Sequence, residues 1–146
     1  MRIYTIGFTQ KSAERFFTLL QEHQVKRLID IRLNPRGQLA GFAKQDDLAY
    51  FLGRIAGCEY HHLPQLAPTD ELLSDYRKDR RWPRYEERFE ALMDQREVPH
   101  SIERQLFEER VCCLLCSEAT PEQCHRRLVA ERLARHWPPT EIVHLI

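Results

Sequence analysis

The chain has 146 residues, enough to bury one substantial core. Apolar residues make up 42% and charged residues 30%, a globular mixture that excludes a disordered chain. The formal net charge of zero excludes a global basic field for gathering nucleic acid.

Arg2 to Ile6 reads as a strand closed by Gly7, with no apolar segment of the signal-peptide kind. Ser12 to His23 sets Phe16, Phe17, Leu19 and Leu20 at helical spacing, with Ser12 as the N-cap. Arg27 to Ile31 is a second short strand, followed by the loop Arg32-Leu33-Asn34-Pro35-Arg36-Gly37. Asp46 or Asp47 caps a helix carrying Leu48, Phe51, Leu52 and Ile55, which Gly57 stops. Glu59 to Leu63 is a third strand. Pro64 to Gln95 is helical, broken at Pro68 and Pro83, with Tyr85, Phe89, Leu92 and Met93 on one face. Ser101 to Glu109 is a further short helix.

Arg110 to Cys116 is apolar throughout, the pattern of a central strand buried on both faces. Thr120-Pro121-Glu122-Gln123 forms a capping box for a helix from Pro121 to His136, ended by Pro138-Pro139. Glu141 to Ile146 is the last strand. The expected fold is a single α/β domain over residues 1–146, with an open, mostly parallel sheet of about five strands and helices on both faces. No apolar run approaches a bilayer span, so the chain reads as cytoplasmic and without a membrane partner. Five cysteines, three of them in one strand, argue against a disulfide framework.

In open α/β sheets ligands bind beyond the carboxyl ends of the strands. Those ends carry Gly7-Phe8-Thr9, Asp30-Ile31-Arg32 and Cys116-Ser117-Glu118. Cys116, before a helix N-terminus and near Arg126, is a candidate nucleophile, against the plainer reading of a small buried residue. His125 is the candidate proton carrier. Arg126 shares the apolar helix side with Val129, Ala130, Leu133 and Trp137. A cation there needs a partner, so it reads either as an ion pair with Glu118 or Asp30 or as an anion clamp. Asp30 and Arg32 share one strand face and can pair. Cys124 and His125, adjacent on one helix, diverge by about 100°, which makes shared metal chelation awkward, so neither a metal nor another cofactor is expected. Arg77 to Tyr85 interleaves cations with aromatics, which suits phosphate contact and base stacking or else a solvated loop.

Thr5-Ile6-Gly7, Asp30-Ile31-Arg32 with Pro35, His62-Leu63-Pro64, Tyr85 with Phe89, and Leu114-Leu115-Cys116-Ser117-Glu118 with Cys124-His125-Arg126-Arg127 together resemble the bacterial and archaeal family named only as domain of unknown function 488. The resemblance implies a pocket containing Cys116, Glu118, Cys124, His125, Arg126, Asp30 and Arg32. Two positions depart from the family pattern: Phe8 replaces a His after Thr-Ile-Gly, and Ala67-Pro68 replaces a Gly-Gly pair. The expected function is binding of an anionic small molecule or nucleotide, with Cys-based catalysis. Cys116, His125, Asp30 and Glu118 are the catalytic set, and Arg126, Arg32, Cys124, Thr5, Gly7 and Thr9 contact the substrate. The alternative is a non-catalytic nucleic-acid module using residues 77–85.

Overall fold

Five strands form one sheet in the order β3-β2-β4-β1-β5, and every neighbouring pair is parallel. They are β1 (Arg2–Gly7), β2 (Arg27–Asp30), β3 (Glu59–His62), β4 (Cys112–Cys116) and β5 (Glu141–Leu145). The structure, a computed structural model, describes residues 1–36 and 41–146, with the backbone alone for residues 38–40. Gly37 of the loop expected over 32–37 lies outside the described residues.

The strand pattern sorts side chains onto two faces. Tyr4, Ile6, Leu28, Cys113 and Leu115 pack with Phe16, Phe17, Leu19 and Leu20 of α1 (Ala13–Glu22) and with Leu48 of α2 (Gln45–Phe51). Ile3, Ile29, Cys112 and Leu114 pack against Leu128, Val129, Ala130 and Leu133. That second layer contains α3 (Asp70–Asp79), α4 (Trp82–Gln95), α5 (Gln105–Glu108) and α6 (His125–His136). β4 lies between β1 and β2, and all five of its residues are buried, which explains its unbroken apolar sequence.

Local signals account for several boundaries. The Ser12 side chain accepts from the Arg15 amide at 3.0 Å and starts α1. Gly57 ends the π turn after α2 in the left-handed region, at φ 56°. Other boundaries differ from the sequence reading. Lys44, without a side-chain cap bond, precedes α2, and Asp46 and Asp47 lie in the first turn, where their charges complement the helix dipole. The helix expected over 101–109 shrinks to Gln105–Glu108.

The largest difference lies before α6, which begins at His125 rather than at Pro121. The Thr120 capping box does not form. The connection is tied down by its carbonyls instead: ahead of the expected helix, Ser117 O accepts from Thr9 and Glu118 O from Arg126, and within it Glu122 O accepts from the Arg127 side chain. Cys124 becomes the N-cap residue in an extended conformation, φ −139° and ψ 139°.

Candidate functional site

The carboxyl ends of β1, β2 and β4 open into a cleft of about 900 Å³. Register places Gly7 beside Cys116 and Asp30 beside Leu115, so these ends are level. At the floor, Cys116 Sγ lies 3.3 Å from His125 Nδ1. His125 Nε2 lies 2.7 Å from the Ile31 carbonyl. A carbonyl only accepts, so Nε2 carries a proton, and in the neutral ring Nδ1 turns its lone pair toward the thiol. Phe89 packs beside the imidazole, with ring centroids 5.6 Å apart.

The extended Cys124 turns its side chain toward the same point. Donor atoms of Cys116, Cys124 and His125 all lie within 4.8 Å of one another, and all three residues are buried. The divergence expected for Cys124 and His125 assumed that both were helical; with Cys124 as N-cap they converge. These three residues could hold a soft cation, a geometry the sequence spacing did not foretell.

Two forces oppose each other at Cys116. Burial raises its pKa, but the Cys124 thiol, the Ser117 and Glu118 amides and the Arg126 charge together lower it below the ordinary thiol value. Cys124 moves the other way: burial and the neighbouring Cys116 push its thiol well up.

Arg126 is fully buried. Its Nε donates to Thr5 Oγ1 at 3.2 Å, and its Nη1 donates to the Glu118 carbonyl at 2.6 Å and to Cys124 Sγ at 3.5 Å. Nη2 is buried and has no hydrogen-bond partner among the described residues. The expected carboxylate partner is absent among the described residues. Alternation explains why: Asp30 points to the α1 face with Leu28, whereas Arg126 approaches from the α6 face. Glu118 reaches Arg126 through its backbone, and its side chain is exposed.

Asp30 instead holds Arg32 with both oxygens, at 2.9 Å to Nε and 2.7 Å to Nη2. Tyr60 donates to the same carboxylate at 2.5 Å, and the Ala43 carbonyl accepts from Arg32 Nη2 at 2.7 Å. The guanidinium lies 5.3 Å from the centre of the Phe8 ring on the cleft wall. His62 Nε2 donates to the Arg32 carbonyl at 2.8 Å.

Of the residues expected to contact a ligand, Arg32, Thr9 and Cys124 line the cleft, as do Cys116, Glu118 and His125. Thr5, Gly7 and Arg126 lie behind its wall. Thr5 sits 2.6 Å from His144 Nδ1 while accepting from Arg126. Burial and the Arg126 charge lower His144, so its neutral ring accepts the Thr5 proton.

Sequence reasoning missed Tyr60, His144 and Lys11. Tyr60 is level with Leu28 in the sheet register and so shares the Asp30 face, a relation visible only once the strands are paired. Lys11, Arg77 and Arg80 bring positive charge to the cleft, and Tyr76 and Trp82 form an aromatic wall with the buried Tyr85. The basic segment 77–85 thus borders the cleft rather than standing apart from it.

A family model described as domain of unknown function DUF488 matches residues 12–133. The chain belongs to the DUF488 family. The matched span contains the Cys116-to-Arg127 motif and Asp30-Ile31-Arg32, while β1 and Phe8 precede it. No curated protein and no solved structure matches the chain. No helix among the described residues is long and apolar enough to cross a membrane.

Proposed function

We propose that the cleft binds an anionic small molecule of the nucleotide kind and acts on it through Cys116 as nucleophile. The observation that carries this reading is the 3.3 Å approach of Cys116 Sγ to His125 Nδ1, with Ile31 holding the opposite nitrogen. His125 takes the thiol proton and returns it to the leaving group. Arg126, a buried cation without a carboxylate, finds its countercharge in the Cys116 thiolate. Arg126 therefore stabilises the nucleophile instead of clamping the substrate. Lys11, Arg77 and Arg80 meet the anionic group, and the Tyr76–Trp82 wall meets a planar one. Asp30 acts at one remove by fixing Arg32.

Nucleic-acid binding by residues 77–85 is the competing reading. Arg77, Arg80, Tyr76 and Trp82 line the same cleft as Cys116 and His125 rather than a separate surface, which favours the small molecule.

An anionic alkylator serves as a minimal substrate. The iodoacetate-to-iodoacetamide rate ratio at Cys116 should exceed the ratio at free cysteine, and Arg77→Ala with Arg80→Ala should remove the excess. Nucleoside phosphates should protect. Labelling of Cys58 with Cys116 untouched by either reagent would overturn the assignment. Steeply salt-dependent binding of single-stranded nucleic acid, without such protection, would favour the competing reading.

A further inference from the structure

Cys124 forms no bond to substrate and moves no proton in the nucleophilic step, yet it is buried beside the nucleophile. Its donor atom lies within 4.8 Å of those of Cys116 and His125, and its sulfur accepts from Arg126 Nη1 at 3.5 Å. The intervening residues 117–123 form bends and a turn, not regular structure, so the two sulfurs can approach without unwinding a helix or strand. The remaining thiols are occupied elsewhere: Cys58 donates to Glu59 O, Cys112 to Leu106 O and Cys113 to Leu114 O.

We infer that Cys124 is the resolving thiol of Cys116, the two forming a reversible disulfide when a hydroperoxide enters the cleft. The inference rests on the reading of Cys116 as a thiolate. The Cys116 sulfur attacks the terminal peroxide oxygen and the O–O bond breaks. The departing alkoxide or hydroxide takes the proton that His125 had removed from the thiol, leaving Cys116 as a sulfenic acid. Sulfur is oxidised by two electrons and the peroxide is reduced by two. Cys124 then attacks the sulfenic sulfur while His125 Nδ1 receives its proton. The S–O bond breaks, the hydroxyl takes that proton and leaves as water, and the S–S bond closes. A dithiol reductant restores both thiols by exchange.

The test uses the full chain, reduced, freed of reductant and treated with one equivalent of hydrogen peroxide before thiol blocking. Trypsin leaves Val111 to Arg126 on one peptide, so a second cleavage after Glu118 and Glu122 is needed to place the bridge. The expected product joins the Cys116 and Cys124 fragments with the loss of two hydrogens, and dithiothreitol releases them. In Cys124→Ser the bridge disappears and dimedone labels Cys116. Alkylation of Cys116 in the untreated protein without any bridge after peroxide overturns the pairing alone. Failure of both reactions overturns the thiolate reading as well. A bridge from Cys116 to Cys112 or Cys113 overturns the role given to Cys124.

Discussion

The Cα of Gly7 lies against the carbonyl of Glu118, so closely that a Cβ at position 7 would stand 1.6 Å from that oxygen. The same Cβ would be 3.0 Å from Arg126 Nη1. Glycine at the end of β1 is what lets residues 116–118 fold over the strand and offer the Glu118 carbonyl to Arg126.

Gly7→Ala should therefore displace that loop. Overpacking of this kind costs about 1–3 kcal/mol. Denaturant unfolding should register the loss, and the alkylation rate of Cys116 should fall. Gly53, in a helical turn with nothing within 4 Å of its would-be Cβ, is the control: Gly53→Ala should leave the Cys116 rate unchanged and raise stability by up to about 1 kcal/mol. Equal behaviour of the two variants would contradict the close approach.

Cys116 should label at lower pH than free cysteine, because its hydrogen-bond donors and the Arg126 charge outweigh burial. Burial pushes Cys58 and Cys112 up to about 12, so both should stay unlabelled at neutral pH. Arg126→Met should move the Cys116 midpoint upward. The sign for stability follows from linkage. A thiol with a lower pKa folded than unfolded adds stability above its unfolded pKa, and that stability is lost as pH falls through the folded value. A Cys116 profile that coincides with free cysteine, before and after Arg126→Met, would rule out this charge coupling.

Asp30 accepts from Arg32 and Tyr60 in a buried site. Asp30→Ala leaves the Arg32 cation unpaired, a loss of about 3–5 kcal/mol. Tyr60→Phe removes only one bond to the carboxylate, about 1.5–3 kcal/mol. Chemical denaturation should rank the two variants in that order. The reverse order would mean that Tyr60, not Asp30, anchors the network.

Arg126 sets its charge beside the very sulfurs that a cation would use, with Nη1 3.5 Å from Cys124 Sγ. Purified protein should contain no stoichiometric zinc, and Arg126→Met should bind zinc more tightly than the wild type. Elemental analysis and competition with a chromophoric chelator measure both. About one zinc per chain in the wild type, lost in Cys124→Ala, would show that the trio outweighs the guanidinium.

The order of strands and helices was legible in the chain because apolar periodicity and local caps act over a few residues. Ser12 opens α1 and Gly57 closes the turn after α2 by bonds and dihedral angles that need no distant partner. The burial of Arg126 was equally legible from its helical phase beside Val129 and Leu133. Its partners were not. Asp30 and Arg126 belong to opposite faces of the sheet, and only the return path of each helix assigns those faces. The start of α6 escaped for a related reason: distant groups on Thr9 and Arg126 tether residues 117 and 118 by their carbonyls and so set the path by which the chain enters the helix. On that path Cys124 is extended, and its thiol meets Cys116 and His125. Sequence determined the layers and the residues available at the strand ends, through short-range geometry. The tertiary structure decided which of those residues meet, because hydrogen-bond partners across the sheet depend on strand register and helix placement.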